Sequence, residues 1–309
     1  MESIRLLTTG GTIASAPGPD GLTPQRTGED LLRLVPGLAG ICQVQVQALL
    51  ELDSTNVGPL EWQTMARAIW AARGACQGVV LAHGTDTMAY SAAALHCMLE
   101  NIDLPVILTG SQLPMEAPDS DGPDNLRDAF AAAATGPSGV FLVFDGKIIP
   151  GAAAYKQRTQ GFDAFVPVNV PLAGTVQAGH AQWVLPPSPP QGQPRLRDNL
   201  ELQVGLLKLT PATTQAELDF YAEHGWKGLV VEGFGAGGVP ERLLPALQRV
   251  AAKLPVVLCS QCRYDGVHLD VYDVGHQAAQ AGVIAGGSRT PEAWVVRLMW
   301  AFANGEPLV

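Results

Sequence analysis

Gly78-Val79-Val80-Leu81-Ala82-His83-Gly84-Thr85-Asp86-Thr87-Met88-Ala89-Tyr90-Ser91-Ala92-Ala93-Ala94-Leu95 reads as a strand, a polar loop and a helix in immediate succession. Gly78–Ala82 is a short, wholly apolar run, the pattern of a strand buried on both faces. Thr87–Leu99 is rich in Ala, Leu and Met, which favour helix. The same alternation surrounds this unit. Ile4–Leu7 is a brief apolar run that ends in Thr-Thr-Gly-Gly, and Gln43–Leu50 alternates at period two. Thr27 and Asp30 form a capping box ahead of Leu31, Leu32 and Val35. Pro59 opens a helix with Leu60, Met65, Ile69 and Ala72 near one face. Pro105–Leu108 is a further strand, Asn125–Ala134 a helix and Val140–Phe144 a fifth strand. Strands alternating with helices over short links predict a parallel sheet covered on both faces.

Residues 186–199 (PPSPPQGQPRLRDN) are proline-rich and polar, and no core could use them, so they read as a linker. Beyond it Leu202–Leu209, Gly228–Val231, Pro255–Cys259 and Val283–Ile284 read as strands. Pro240–Ala252, His276–Ala281 and Pro291–Ala303 read as helices. The expected fold class is α/β in two domains. A larger N-terminal domain, 1–185, holds a parallel-type sheet flanked by helices, and a smaller α/β domain spans 200–309. The length of 309 residues agrees with that division.

Composition narrows the function. Apolar residues make up 47% and charged residues 16%, which excludes a disordered chain. The net charge of −10 argues against nucleic acid as a partner, because phosphate binding needs a basic surface. No apolar stretch is long enough to cross a membrane, and Glu2 and Arg5 beside a very short apolar run do not make a signal peptide. The five cysteines are an odd count in a long chain, so a reducing, cytoplasmic setting is expected.

In an open parallel sheet ligands bind outside the carboxyl ends of the strands. The expected strand exits carry Thr8-Thr9-Gly10-Gly11-Thr12, then Asp53-Ser54-Thr55-Asn56, then His83-Gly84-Thr85-Asp86-Thr87, then Thr109-Gly110-Ser111-Gln112, and finally Asp145. Any one of these loops is explained by turns and helix caps. Hydroxyls at four consecutive exits point instead to a small-molecule site. The set suits a zwitterion: carboxylates hold an ammonium, while hydroxyls and backbone N–H groups hold a carboxylate.

Three other motifs carry less. Gly233-Phe-Gly235-Ala-Gly237-Gly238 satisfies the dinucleotide pattern, but Val257–Gln261 offers no acidic ribose partner, so it reads as a tight turn. Cys259-Ser-Gln-Cys262 lacks a second pair of metal ligands and reads as a turn after a buried strand. Asp119-Ser-Asp121-Gly122 lacks the ends of a calcium loop and reads as the cap of the helix near Asn125. No G-x-S-x-G and no H-E-x-x-H occurs.

Thr9-Gly10-Gly11-Thr12-Ile13-Ala14-Ser15 and His83-Gly84-Thr85-Asp86-Thr87-Met88 resemble the two signature motifs of the bacterial-type L-asparaginases, in their order and spacing. The likeness continues through Asp121–Leu126, Tyr155-Lys156, Ser260-Gln261-Cys262 and Ala281–Gly287, and its C-terminal part looks like the cytoplasmic type I branch. The resemblance implies hydrolysis of L-asparagine to L-aspartate and ammonia, with no cofactor and no metal, by a homodimer or homotetramer. It implies Thr12 as nucleophile and Thr85, Asp86 and Lys156 as a second catalytic trio. Ser54 and Asp86 match the residues that hold the substrate's carboxylate and ammonium, with Thr55 beside them. Type I relatives can also carry a regulatory asparagine site, which would fall near Cys262.

The residue types suit that chemistry. A threonine hydroxyl attacks an amide only when a base takes its proton. A lysine is such a base only when burial or a neighbouring cation brings it well below its ordinary value of about 10.4. Backbone N–H groups around Gly10, Gly11 and Gly84 are candidate oxyanion donors, since glycine allows close approach. One departure stands out: Leu22 occupies the place of a loop tyrosine that acts on the nucleophile in the family. Leucine moves no proton, and such help is worth ~10²–10⁴ in rate. Tyr155, Thr23 or Lys156 itself are the candidates to replace it. Gly275 stands near the acidic position that a neighbouring subunit lends in the type II branch. Two other readings remain open: a related amidase, such as the ammonia-generating subunit of a tRNA amidotransferase, and a non-catalytic amino-acid sensor. The start of the first motif at Thr9 weighs against the former, and Leu22 supports the latter.

Overall fold

A computed structural model describes residues 3–18, 21–24, 26–184, 192–270 and 273–308. The chain forms two compact units, Met1–Asp198 and Asn199–Val309. Of the segment expected as a linker, 186–191 lies outside the described residues. Arg195–Leu196 pairs antiparallel with Leu99–Glu100. Asp198 accepts hydrogen bonds from Gln63 through its carbonyl and from Arg67 through its carboxylate.

The first unit is built on an eight-stranded sheet. Its strands in chain order are β1 (Ser3–Gly10), β2 (Gln43–Leu52), β3 (Gly78–Ala82), β4 (Pro105–Thr109), β5 (Gly139–Phe144), β6 (Lys147–Pro150), β7 (Gly174–Gln177) and β8 (His180–Trp183). In space they run β8-β7-β6-β5-β4-β3-β1-β2. The strands β2, β1, β3, β4 and β5 are parallel, as their sequence predicts. The three strands beyond β5 are antiparallel and were not foreseen. They are short, join through tight turns at Asp145-Gly146 and Ala178-Gly179, and mix polar with apolar residues, so no period marks them.

Helices α1 (Gly28–Arg33), α2 (Pro59–Ala72), α3 (Met88–Met98) and α4 (Gly122–Thr135) cover the sheet. The capping box of α1 forms as read: Thr27 Oγ1 accepts from Asp30 N, and Asp30 Oδ2 accepts from Thr27 N at 3.0 Å. In α2 the proline sits in the first turn, and Trp62, Met65, Ala66, Ile69 and Ala72 form the buried stripe. β3 is buried along its whole length, whereas the edge strand β2 alternates. Phe130 of α4 and Phe144 of β5 are wholly buried, where truncation to alanine costs about 3–5 kcal/mol.

The second unit holds β9 (Val204–Lys208), β10 (Gly228–Gly233), β11 (Val256–Ser260) and β12 (Ile284–Ala285), in that order and all parallel. Its helices are α5 (Gln215–Glu223), α6 (Leu244–Ala251), α7 (Asp273–Gln280) and α8 (Pro291–Asn304). α5 was not anticipated, although Thr214 and Glu217 form a capping box at its start. The glycine-rich run after β10 is a tight turn, with Phe234 and Gly238 exchanging backbone hydrogen bonds. Cys259 lies inside β11 and Cys262 in the turn after it; burial pushes the Cys259 thiol up to about 12. Among the described residues no helix is long and apolar enough to cross a membrane.

Candidate active site

The order 2-1-3-4-5 of the parallel strands reverses direction between β1 and β3. Loops leaving two such strands diverge to opposite faces and open a crevice at their carboxyl ends. The two threonine-bearing loops leave these two strands. Gly11 directly follows β1, adopts φ +76°, and lies so close to Gly84 that any Cβ would strike the Gly84 backbone. Gly84 in turn packs against the side chain of Ser54, in the loop that leaves β2. Three loops distant in sequence therefore meet, Gly11 and Gly84 backbone to backbone at a distance only glycine permits and the third through the Ser54 side chain. Thr12 and Thr85 each sit one residue beyond this contact.

Further bonds lock the junction. Thr9 Oγ1 donates to Ala82 O at 3.1 Å and ties β1 to the end of β3. Ser54 Oγ accepts from Asp86 N at 3.2 Å, and Ser54 O accepts from Thr87 Oγ1 at 2.7 Å. Lys156 ends the short strand Ala154–Lys156, which pairs antiparallel with Phe165–Pro167. Its Nζ donates to Thr85 Oγ1 at 2.7 Å and to Asp86 Oδ1 at 2.6 Å. The lysine side chain is 17% exposed and the Asp86 carboxylate 54%, so the acid faces outward while the amine is held beneath it.

Ser54, Thr85, Asp86 and Lys156 are thus gathered in one place, with Thr12 beside them. Thr55 is placed differently. It is exposed, and both its N–H and its hydroxyl turn back to Asp53 at 2.8 and 2.6 Å, which holds the Asp53 carboxyl below its usual range. The side chains of Leu22 and Thr23 lie outside the described part of the structure.

One of the expected backbone donors is engaged elsewhere. Gly11 N–H is already taken, donating to Leu52 O at 2.9 Å. The N–H groups of Thr12 and Thr85 meet no acceptor among the described residues, although Thr85 is buried. Buried backbone N–H groups are almost always paired, so Thr85 N–H is a donor open to a ligand, and Gly84 N–H beside it meets no acceptor among the described residues either.

Two residues escaped the sequence reading. Gln112, noted only as part of a strand exit, lies with Oε1 3.4 Å from Thr85 Oγ1 while its Nε2 donates to Gly161 O at 3.1 Å. Asp121, expected to cap α4, makes no side-chain cap bond. Its carboxylate instead accepts from the N–H groups of Gln112 and Leu113 and from Asn125 Nδ2, and so clamps the loop after β4.

His83 is fully buried, and burial pushes it down to about 4. The folded chain therefore keeps the imidazole neutral where an unfolded chain, near 6.5, protonates it. As pH falls through that window the unfolded state takes up a proton the fold refuses, and stability is lost, by about 3 kcal/mol when complete. Urea midpoints of the protein at pH 7 and pH 4.5 check this: a clear drop is expected, and equal midpoints contradict a neutral buried imidazole.

Comparison with known proteins agrees with this architecture. The family model "Asparaginase, N-terminal" matches residues 3–188, and "Glutaminase/Asparaginase C-terminal domain" matches 203–308. The L-asparaginase of Thermococcus kodakarensis is 38% identical, over 98% of this chain and 93% of that protein. A solved structure of the thermostable L-asparaginase from that organism superposes with a TM-score of 0.92 at 37% identity, covering 99% of this chain and 94% of that one. L-asparaginase I from Vibrio cholerae superposes at 0.88 with 28% identity, over 99% and 94% of the two chains. A glutamyl-tRNA(Gln) amidotransferase subunit from Pyrococcus furiosus is 34% identical over all of this chain and 74% of its own length. An α/β enzyme of two domains that hydrolyses amides is the class the fold and these relatives define. The chain belongs to the asparaginase family of amidohydrolases.

Proposed function

We propose that the protein hydrolyses L-asparagine to L-aspartate and ammonia through an acyl-threonine intermediate. The observation that carries this is the Lys156 amine held between the Thr85 hydroxyl and the Asp86 carboxylate, beside the Gly11–Gly84 contact. Asp86, exposed at the mouth, takes the α-ammonium of the substrate, and the Ser54 hydroxyl takes its α-carboxylate. The Thr12 hydroxyl attacks the side-chain amide carbon, and its proton leaves with the departing ammonia. The N–H groups of Thr12 and Thr85 receive the negative charge that develops on the carbonyl oxygen. Water then cleaves the ester, releasing aspartate and returning the proton to Thr12.

Lys156 and Thr85 serve the proton transfers. A substrate ammonium that arrives at Asp86 competes with Lys156 for the same carboxylate and adds a second positive charge nearby. The Lys156 amine is then free to turn wholly to the Thr85 hydroxyl. This supplies an acid–base group on a chain with Leu22 where its family resemblance leads one to expect tyrosine.

The similarity to amidotransferase subunits supports glutamine as the second candidate substrate. One experiment separates the readings: ammonia release by the purified protein from L-asparagine, L-glutamine and simple amides. Asparagine is expected to give the highest kcat/KM. A clear preference for glutamine moves the protein to the amidotransferase-like reading. Tight asparagine binding in calorimetry without ammonia release makes it a sensor.

A further inference from the structure

We infer that Trp62, Ser91 and His83 form a positioning relay that fixes the Gly84–Thr85 peptide and so aims the Thr85 N–H at the substrate's carbonyl oxygen. This rests on the amidohydrolase reading of the site. The direction of every bond in the relay is set by chemistry. His83 Nδ1 lies 2.6 Å from Gly84 O, and a carbonyl only accepts, so Nδ1 carries the proton. The neutral ring then has a lone pair at Nε2, which Ser91 Oγ meets at 3.0 Å, so the serine hydroxyl donates to it. Trp62 Nε1 is a donor only, and it fills the remaining side of Ser91 Oγ at 3.0 Å. All three side chains are buried: His83 and Ser91 at 0% exposed, Trp62 at 6%. The chain thus runs from the indole on α2, through α3, to the loop that leaves β3.

The loop needs such an anchor. Position 84 must be glycine, because Gly11 and Ser54 crowd it. Glycine tolerates many backbone angles, so the peptide that follows it is free to rotate unless something holds it. The imidazole holds the carbonyl inward. In a trans peptide the next N–H points the opposite way, and no peptide in the described chain is cis. Thr85 N–H therefore faces away from the ring, and it is one of the donors left open among the described residues. Burial keeps His83 neutral across the working range, so the tautomer persists.

The test is Ser91→Ala, which removes the hydroxyl donor to Nε2 and leaves the ring held to Gly84 O at one nitrogen only. On L-asparagine, kcat is expected to fall about 10- to 100-fold with KM nearly unchanged, because the aimed N–H matters most as charge develops; deleting an oxyanion donor outright costs about 10²–10³. In ¹⁵N-histidine-labelled protein, the tautomer stays Nδ1–H because Gly84 O remains its acceptor, but the Nδ1–H proton is expected to move upfield and exchange faster as the ring loosens from that carbonyl. Trp62→Phe removes the indole donor that orients the serine hydroxyl, and a fall in kcat smaller than that of Ser91→Ala is expected, with KM unchanged. Should Ser91→Ala fold poorly, Ser91→Cys keeps the shape with a weaker donor and is expected to show an intermediate loss. An active wild-type enzyme whose Ser91→Ala variant keeps kcat, or loses it with the Nδ1–H proton unmoved in shift and exchange, overturns the relay alone. A wild type that hydrolyses no amide overturns the reading of the site beneath it.

Discussion

Thr12→Ala is expected to reduce ammonia release from L-asparagine by about 10⁴-fold or more, the scale seen when a covalent nucleophile is removed. The loss falls on kcat, because binding of the zwitterion is assigned to Ser54 and Asp86, which the change leaves untouched. Calorimetry of the variant with L-aspartate is therefore expected to return an affinity within a fewfold of wild type. Thr12 lies in a short turn, Thr12–Ala14, whose caps use backbone and not its hydroxyl, so the fold survives. A Thr12→Ala enzyme with full activity shows that the ester forms elsewhere, with Thr85 the next candidate.

Lys156→Met is the second large effect. It removes the amine that bridges Thr85 and Asp86 while keeping a side chain of similar length. A proton-transfer group is worth ~10²–10⁴ in rate, and a loss of about 10³-fold is expected. Stability changes little, since the carboxylate partner is half exposed and such pairs contribute at most about 1 kcal/mol. Lys156→Arg sharpens the result. Arginine keeps the charge and the ion pair but cannot give up its proton, so it is expected to be as slow as Met. Arg in place of Lys with near-normal kcat means that the residue acts through its charge alone, and the proton must then be assigned to another group. Both variants are read by steady-state kinetics on L-asparagine alongside thermal melts.

The parallel strands were legible because burial on both faces writes itself as unbroken apolar runs such as Gly78–Ala82. The helix starts at Thr27 and Pro59 were legible for an equally local reason: cap and proline chemistry act within one turn. β6, β7 and β8 were not, since short strands joined by tight turns leave neither a period nor a continuous run. In the site, the strand exits named three of the loops that meet, the family motifs picked Thr12, Ser54, Thr85 and Asp86 out of them, and the resemblance alone added Lys156 from outside them. What stayed hidden is direction. Nothing in a string of letters tells that Thr55 turns back to Asp53, that Gly11 N–H is already engaged, or that Asp121 clamps a loop instead of capping its helix. His83 and Ser91 are eight residues apart, across a loop and one helix turn, and their pairing depends on how α3 lies against β3.

The contact between Gly11, Gly84 and Ser54 also bears on how the molecule reaches its working form. Its members are separated by tens of residues, and Lys156 joins from farther still, so the contacts that bring these loops together each close a large loop of chain. Topologies dominated by such distant pairings fold slowly. Helical signal should therefore return early after dilution from denaturant, while turnover returns only with the last and slowest kinetic phase.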